Sequence, residues 1–137
     1  QLITSVDFNP SFKNHIYFVH LNQKQNSRDG IKLYRKNTSD LSTSIARVNI
    51  ITARMITCKS LDEFQKLMDD HEQLISEIIK ETPIKTRLFN DFNGSIKSLG
   101  AWGGDFVMIA SKDNPTSYFE SKGFTTILSY SEMVLKA

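Results

Sequence analysis

The sequence predicts an α+β fold, an antiparallel sheet of about four strands packed by helices on one face, and three observations carry that prediction. Short segments rich in β-branched and aromatic residues occur once near the start and three times in the last third. Long 3.6-periodic stretches fill the middle. The resulting order, strand, three or four helices, strand, strand, helix, strand, is an α+β plan. At 137 residues there is room for one domain.

The elements follow in order. His15 to Leu21, HIYFVHL, reads as a largely buried strand bounded by Asn14 and Asn22. The polar stretch after it holds Asn26 and Ser27, either of which caps a short helix running to about Arg35. Thr38, Ser39 and Asp40 offer a further helix start, and Leu41, Ile45, Val48, Ile51 and Met55 then fall on one face, as in a core helix. Ser60 with Glu63 forms a capping box that opens the stripe Leu61, Phe64, Leu67, Met68, His71, Leu74, Ile75, Ile78 and Ile79. Leu61, Phe64, Leu67, Leu74 and Ile78 are expected to face the sheet.

Thr82 and Pro83 begin a shorter helix through Phe92 that Asn93 and Gly94 end. Ser95 to Leu99 and Asp105 to Ser111 read as strands around a GAWGG turn, Asn114 and Pro115 start a helix that stops at Gly123, and Phe124 to Tyr130 is the last strand.

Charge and cysteine content narrow the functions. Seventeen Lys plus Arg against fifteen Asp plus Glu give +2, far from the basic excess of a nucleic-acid-binding domain, so no nucleic-acid partner is expected. The first 60 residues carry nine basic and three acidic side chains and the rest eight and twelve, which places any anion site in the first half. A single cysteine, Cys58, forms no internal disulfide and reads as a small buried hydrophobe. With no apolar run long enough to span a bilayer and no signal-peptide pattern, a cytoplasmic setting away from membranes is expected. The start at Gln1 reads as that of a fragment, a processed chain or a trimmed one.

His15, His20, His71 and Cys58 lack metal-ligand spacing, and no metal site is expected. Asp69, Asp70 and Glu72 read as a helix-surface cluster, and His71 as a satisfied core or boundary histidine. The glycine-crowded stretch Lys97 to Phe106, KSLGAWGGDF, reads either as a hairpin or as a loop presenting bare amides to a phosphate. Trp102 within it is a hydrophobic plug or an aromatic surface for a planar ligand.

In context IKSLGAWGGDFVMIA resembles the third motif of the GHMP small-molecule kinases, KLTGAGGGGC followed by an apolar strand. Lys97, Gly100, Ala101, Gly103, Gly104 and the strand Phe106 to Ala110 match it. FVHLNQKQNSRDGI resembles the strand, Arg-Asn-Thr loop and helix of mevalonate kinases, with Asn26 and Ser27 on the Asn-Thr pair, and FQKLMDDHEQLISEI resembles the family's Asn-His-x-Leu-Leu helix at His71 and Leu74. Trp102 and Asp105 stand where the family has glycine, and a carboxylate at the latter position repels phosphate unless a metal or a lysine offsets it.

The resemblance implies a ferredoxin-like fold and the C-terminal domain of an ATP-dependent kinase that phosphorylates an alcohol group of a small molecule, mevalonate or a relative, with Mg²⁺ bridging phosphates. It implies nucleotide contacts at Gly100, Ala101, Trp102, Gly103, Gly104 and Asp105, and substrate contacts at Asn26, Ser27 and Arg28 with Lys24, Lys32 and Lys36 supplying positive field. The family's main phosphate loop and its catalytic Asp or Lys have no counterpart in this sequence. No catalytic residue is therefore expected here, and the partner is an N-terminal kinase half. An apolar first strand left uncovered by that half would favour self-association, including a homodimer. The alternative is a non-catalytic ligand-binding or assembly module that kept the fold.

Overall fold

β-Branched and aromatic residues occupy both parities of the first strand, so a sheet built on it has two faces to bury. A computed structural model describes residues 10–22, 42–99 and 105–133. Strand β1 (Ile16–His20) leads to helices α1 (Ser42–Thr57), α2 (Leu61–Ile79) and α3 (Ile84–Leu88), then to β2 (Ser95–Ser98), β3 (Phe106–Ala110), α4 (Thr116–Ser121), β4 (Ile127–Ser129) and α5 (Tyr130–Met133). The sheet order is β2-β3-β1-β4 and every pairing is antiparallel. This is the ferredoxin-like order, in which the two strands of the β2–β3 pair lie to one side of β1. The four strands fall where the sequence places them, and the first is interior: Phe18 is opposite Met108 on one side and Leu128 on the other. The apolar first strand, expected to be left uncovered, is thus paired along both of its edges.

Residues opposite one another in an antiparallel pair share a face. Ile16, Phe18, Met108, Ala110 and Leu128 join Phe64, Leu67 and Met68 of α2 in one cluster. Val19, Ile96, Val107 and Ile109 form a second cluster with Ile84, Phe89, Phe92 and Phe119. The long helix thus covers one face, and the short turns around α3 and α4 close the other, extending the expected one-sided packing to both faces.

Local rules account for the helix ends. Ser60 has extended backbone and its hydroxyl accepts from the Glu63 amide at 3.2 Å, capping α2. Its far end turns left-handed at Lys80 (φ 60°), and the Ser76 hydroxyl donates to the Glu81 carbonyl just beyond. Pro83 occupies the N-cap position of α3 rather than its first turn, and α3 stops at Leu88 instead of reaching Phe92. Gly94 is there for space: a Cβ would lie 2.7 Å from a Phe92 ring carbon and 2.8 Å from the Ala110 carbonyl oxygen. Gly123 ends α4 as expected, with φ 92°.

Two helical expectations are corrected. α1 contains no buried residue, and Ile45 is 47% exposed. It lies on α2 as an outer layer through Val48 and Ile51, because α2 already occupies the sheet. Correspondingly Leu61, Phe64 and Leu67 pack in the cluster shared with the sheet, whereas Leu74 and Ile78 belong to the cluster formed with α1. The segment after Ser129, read as strand to Tyr130, turns into α5, where Glu132 accepts from the Ser129 amide at 3.0 Å and the Ser129 hydroxyl accepts from the Glu132 amide at 3.3 Å.

Candidate functional site at the end of the sheet

β1 and β2 run in the same direction, so the chain leaves both at one end of the sheet, and β3 enters at that end. The Leu21 amide donates to the Asp105 carbonyl at 2.7 Å across this end. Asn22 beside it is left-handed (φ 58°), and its amide donates to His20 Nδ1 at 3.0 Å. Asp105 is exposed and also left-handed (φ 52°), a backbone glycine adopts freely and aspartate tolerates better than most residues. Asn26, Ser27, Arg28, Lys24, Lys32 and Lys36, and Gly100, Ala101, Trp102, Gly103 and Gly104, lie outside the described residues. Of the residues expected at a site, the structure places Asp105 directly. For the rest it places what flanks them, Leu21 and Asn22 on one side and Leu99 and Asp105 on the other.

Beneath this end lies a polar cluster built on Glu72, the one buried member of the group Asp69, Asp70 and Glu72 expected on the helix surface; Asp69 and Asp70 are exposed as expected. Glu72 is 4% exposed, and its Oε2 accepts from the Ser98 amide at 3.1 Å and the Ser98 hydroxyl at 2.9 Å. β2 is an edge strand, so the Ser98 amide takes this partner from a helix instead of a neighbouring strand. Lys97 lies on the α2 side of β2, opposite Met108, and its Nζ donates to the Ser98 carbonyl at 3.2 Å. Burial pushes the Lys97 pKa down and the Glu72 carboxylate works against that; burial pushes Glu72 up while the Ser98 bonds and Lys97 oppose the shift. His71 is half-buried, and burial followed by the Lys97 charge lowers its pKa to about 4, so it is neutral at physiological pH. Its Nδ1 is buried with no hydrogen-bond partner among the described residues, which corrects the expectation of a satisfied histidine.

The cluster continues down α2, where the Ser95 hydroxyl donates to the Gln65 carbonyl at 3.3 Å and the Gln65 amide group donates to the Ala110 carbonyl at 2.9 Å. Asp69 is raised chiefly by burial, with Ser95 and then Lys85 opposing the shift. Cys58 is buried as expected, its thiol donating to the Ser60 carbonyl at 3.1 Å.

The sequence did carry a signal for Glu72. Leu61, Met68, Glu72 and Ile79 fall at offsets 0, 7, 11 and 18 along α2, one line on a helix, so a carboxylate stands inside an apolar stripe. A concavity of about 350 Å³ lies on the α1–α2 seam, between Arg47 and Ile50 on one side and Asp70, Leu74 and Glu77 on the other. It includes none of the residues expected at a site. Among the described residues no three histidine, cysteine or carboxylate side chains cluster as metal ligands, and no helix is long and apolar enough to cross a membrane. No family model matches this chain, and no curated protein matches it.

Proposed function

We propose that this chain is the C-terminal domain of a GHMP-type, ATP-dependent kinase that phosphorylates an alcohol group of a small molecule, mevalonate or a relative, in a cytoplasmic setting. The observation that supports the reading is topological. The glycine-rich segment connects β2 to β3 in a ferredoxin-like sheet and departs from the same end as the segment after β1 that carries Asn26, Ser27 and Arg28. Two stretches more than 70 residues apart in sequence, each resembling a motif of one family, therefore start from the same end of the sheet. Phosphoryl transfer needs positioning and charge stabilisation more than covalent chemistry from the protein, so two segments that leave the sheet at one end suit it.

This chain's share of that work is to hold the acceptor alcohol and to bring backbone amides close to the nucleotide, whose main phosphate loop and catalytic group belong to the other half. No magnesium site is assigned to the described residues, since they offer no ligand cluster. The test is MgATP-dependent phosphorylation of mevalonate, homoserine and galactose by the gene product that carries this chain. Ser27→Ala and Gly103→Val are each expected to lower kcat/KM by about tenfold or more, the first by removing a polar contact and the second by placing a β-branched side chain where backbone approaches closely. The 137-residue chain alone is expected to show no turnover. Robust turnover by that chain would overturn the assignment to half an enzyme, and full activity of both variants would remove the two segments from the site.

The second reading is an assembly module on the same fold. It is favoured by Ile45, Ile50 and Ile56, which stand exposed on α1. A monodisperse monomer in light scattering at high concentration would count against it.

A further inference from the structure

Cys58, Lys59 and Ser60 alone join α1 to α2, so the two helices form an antiparallel hairpin whose outer member, α1, contains no buried residue. The two helices differ sharply in charge. α1 carries two arginines and no acidic residue, whereas α2 carries six acidic side chains against one lysine. Val48 and Ile51 pack toward α2, but Ile50 lies about 100° further round the helix and is 53% exposed. A helix that is apolar on more than one side is ordinarily enclosed by a further layer. The concavity on the α1–α2 seam shows what that layer has to match. Arg47 and Ile50 form its α1 wall and Asp70 and Glu77 its α2 wall, with half-buried Ile51 and buried Leu74 between them. Arg47 and Asp70 form no ion pair among the described residues, and Glu77 Oε1 accepts from the Gln73 amide group at 3.4 Å. A partner of one charge sign would satisfy one wall and be repelled by the other. A second copy of the same surface satisfies both.

We propose that the α1–α2 hairpin is a homodimer interface, in which two copies pair about a two-fold axis parallel to the helices and form a four-helix bundle. Such an axis keeps every residue at its own height along the bundle, so residues that share the concavity in one copy meet again across the interface. Ile50 of each copy then enters the other's concavity against Ile51 and Leu74, and Arg47 faces the acidic wall of Asp70 and Glu77. This pairing rests on the reading of α1 as an assembly surface and holds with or without kinase activity.

Sedimentation velocity on the full-length protein that carries this chain, over a concentration series, is expected to show a dimer in exchange with monomer, and amide exchange in α1 is expected to slow as concentration rises. Ile50→Asp is expected to weaken the dimer about tenfold or more, and Arg47→Glu, or Asp70→Lys together with Glu77→Lys, about tenfold each. Leu88→Asp, at an exposed leucine outside the hairpin, is expected to leave it unchanged. All of these positions are exposed, so melting midpoints in dilute protein should stay with the parent. The decisive arm mixes the two charge variants under different affinity tags. Each pairs poorly with itself, but across the two-fold axis the introduced carboxylate of one meets the introduced lysines of the other, while the unchanged Arg47 meets the unchanged acids. The mixed pair is expected to recover parent affinity to within about threefold. Recovery confined to the mixture separates contact between copies from contact within one chain.

A parent that stays monomeric over the whole series would overturn the pairing and count against the assembly reading with it. A dimer insensitive to Ile50→Asp and to both charge reversals would overturn this surface alone and leave assembly to another face. Failure of the two charge variants to pair in the mixture would overturn the two-fold arrangement.

Discussion

His71 and Glu72 are adjacent on α2, and burial acts on them with opposite sign: it holds the imidazole neutral and favours the protonated carboxyl. The His71 pKa falls from its ordinary 6.5 to about 4. Above the ordinary value neither state binds the proton and the folded state keeps its full advantage. As pH falls toward about 4, the unfolded chain takes up a proton that the folded one refuses, so stability is lost across that window. Asp69 and Glu72, whose pKa values are raised, act the other way, since the folded state protonates first and gains stability as pH falls. Urea melts near neutrality and at about pH 4.5 should therefore show a smaller acid loss in His71→Leu than in the parent, and equal losses would assign the window to other groups. At Gly94 the constraint is steric: Gly94→Ala places a methyl against the Ala110 carbonyl and should cost about 1 to 3 kcal/mol in the same melts. Neither result was legible beforehand. A histidine on an apolar stripe looks alike with or without a partner, and a glycine after Asn93 looks like a helix stop when the close approach is to a strand remote in sequence.

Helices were read well by periodicity and less well by depth. The Ser60 cap, the start of α2 and the four strands all follow from local chemistry acting over a few residues, which is why they were visible in the sequence. What periodicity does not reveal is which surface an apolar stripe meets. Val48, Ile51 and Met55 form a proper stripe on α1, yet they are only half-buried: Ile51 and Met55 reach the margin of the cluster that α2 shares with the sheet, and Val48 packs on α2 itself. The two helices should consequently differ in mutational cost. Phe64→Ala, removing a ring that is 2% exposed and packed 5.1 Å from the Phe12 ring, should lose about 3 to 5 kcal/mol in denaturant melts. Ile56→Ala on α1, where the side chain is 38% exposed, should lose less than about 1 kcal/mol. Comparable losses at both sites would place α1 in the core after all.

At the scale of the molecule, sheet order decides where stability concentrates. β1 and β3 are each paired on both sides, and their alternating residues feed two separate clusters, with Val19, Ile109 and Ala110 fully buried. β2 and β4 are edges, and α1 is an outer layer on α2. Opening β1 requires breaking two ladders and both apolar clusters, which amounts to unfolding the domain, whereas α1 can separate from α2 while the sheet stays intact. Native-state hydrogen exchange should therefore rank the paired amides of β1 and β3 slowest, with opening free energies equal to the global value from denaturant melts. α1 should exchange through smaller openings that depend weakly on denaturant. The same ranking bears on the candidate site. Its two segments begin at strand ends anchored to β1 and β3, through the Leu21 to Asp105 bond, and at the edge strand β2, where Glu72 supplies the missing anchor. Protection in α1 equal to that in β1 would instead show a single cooperative unit, in which α1 leaves α2 only when the sheet itself opens.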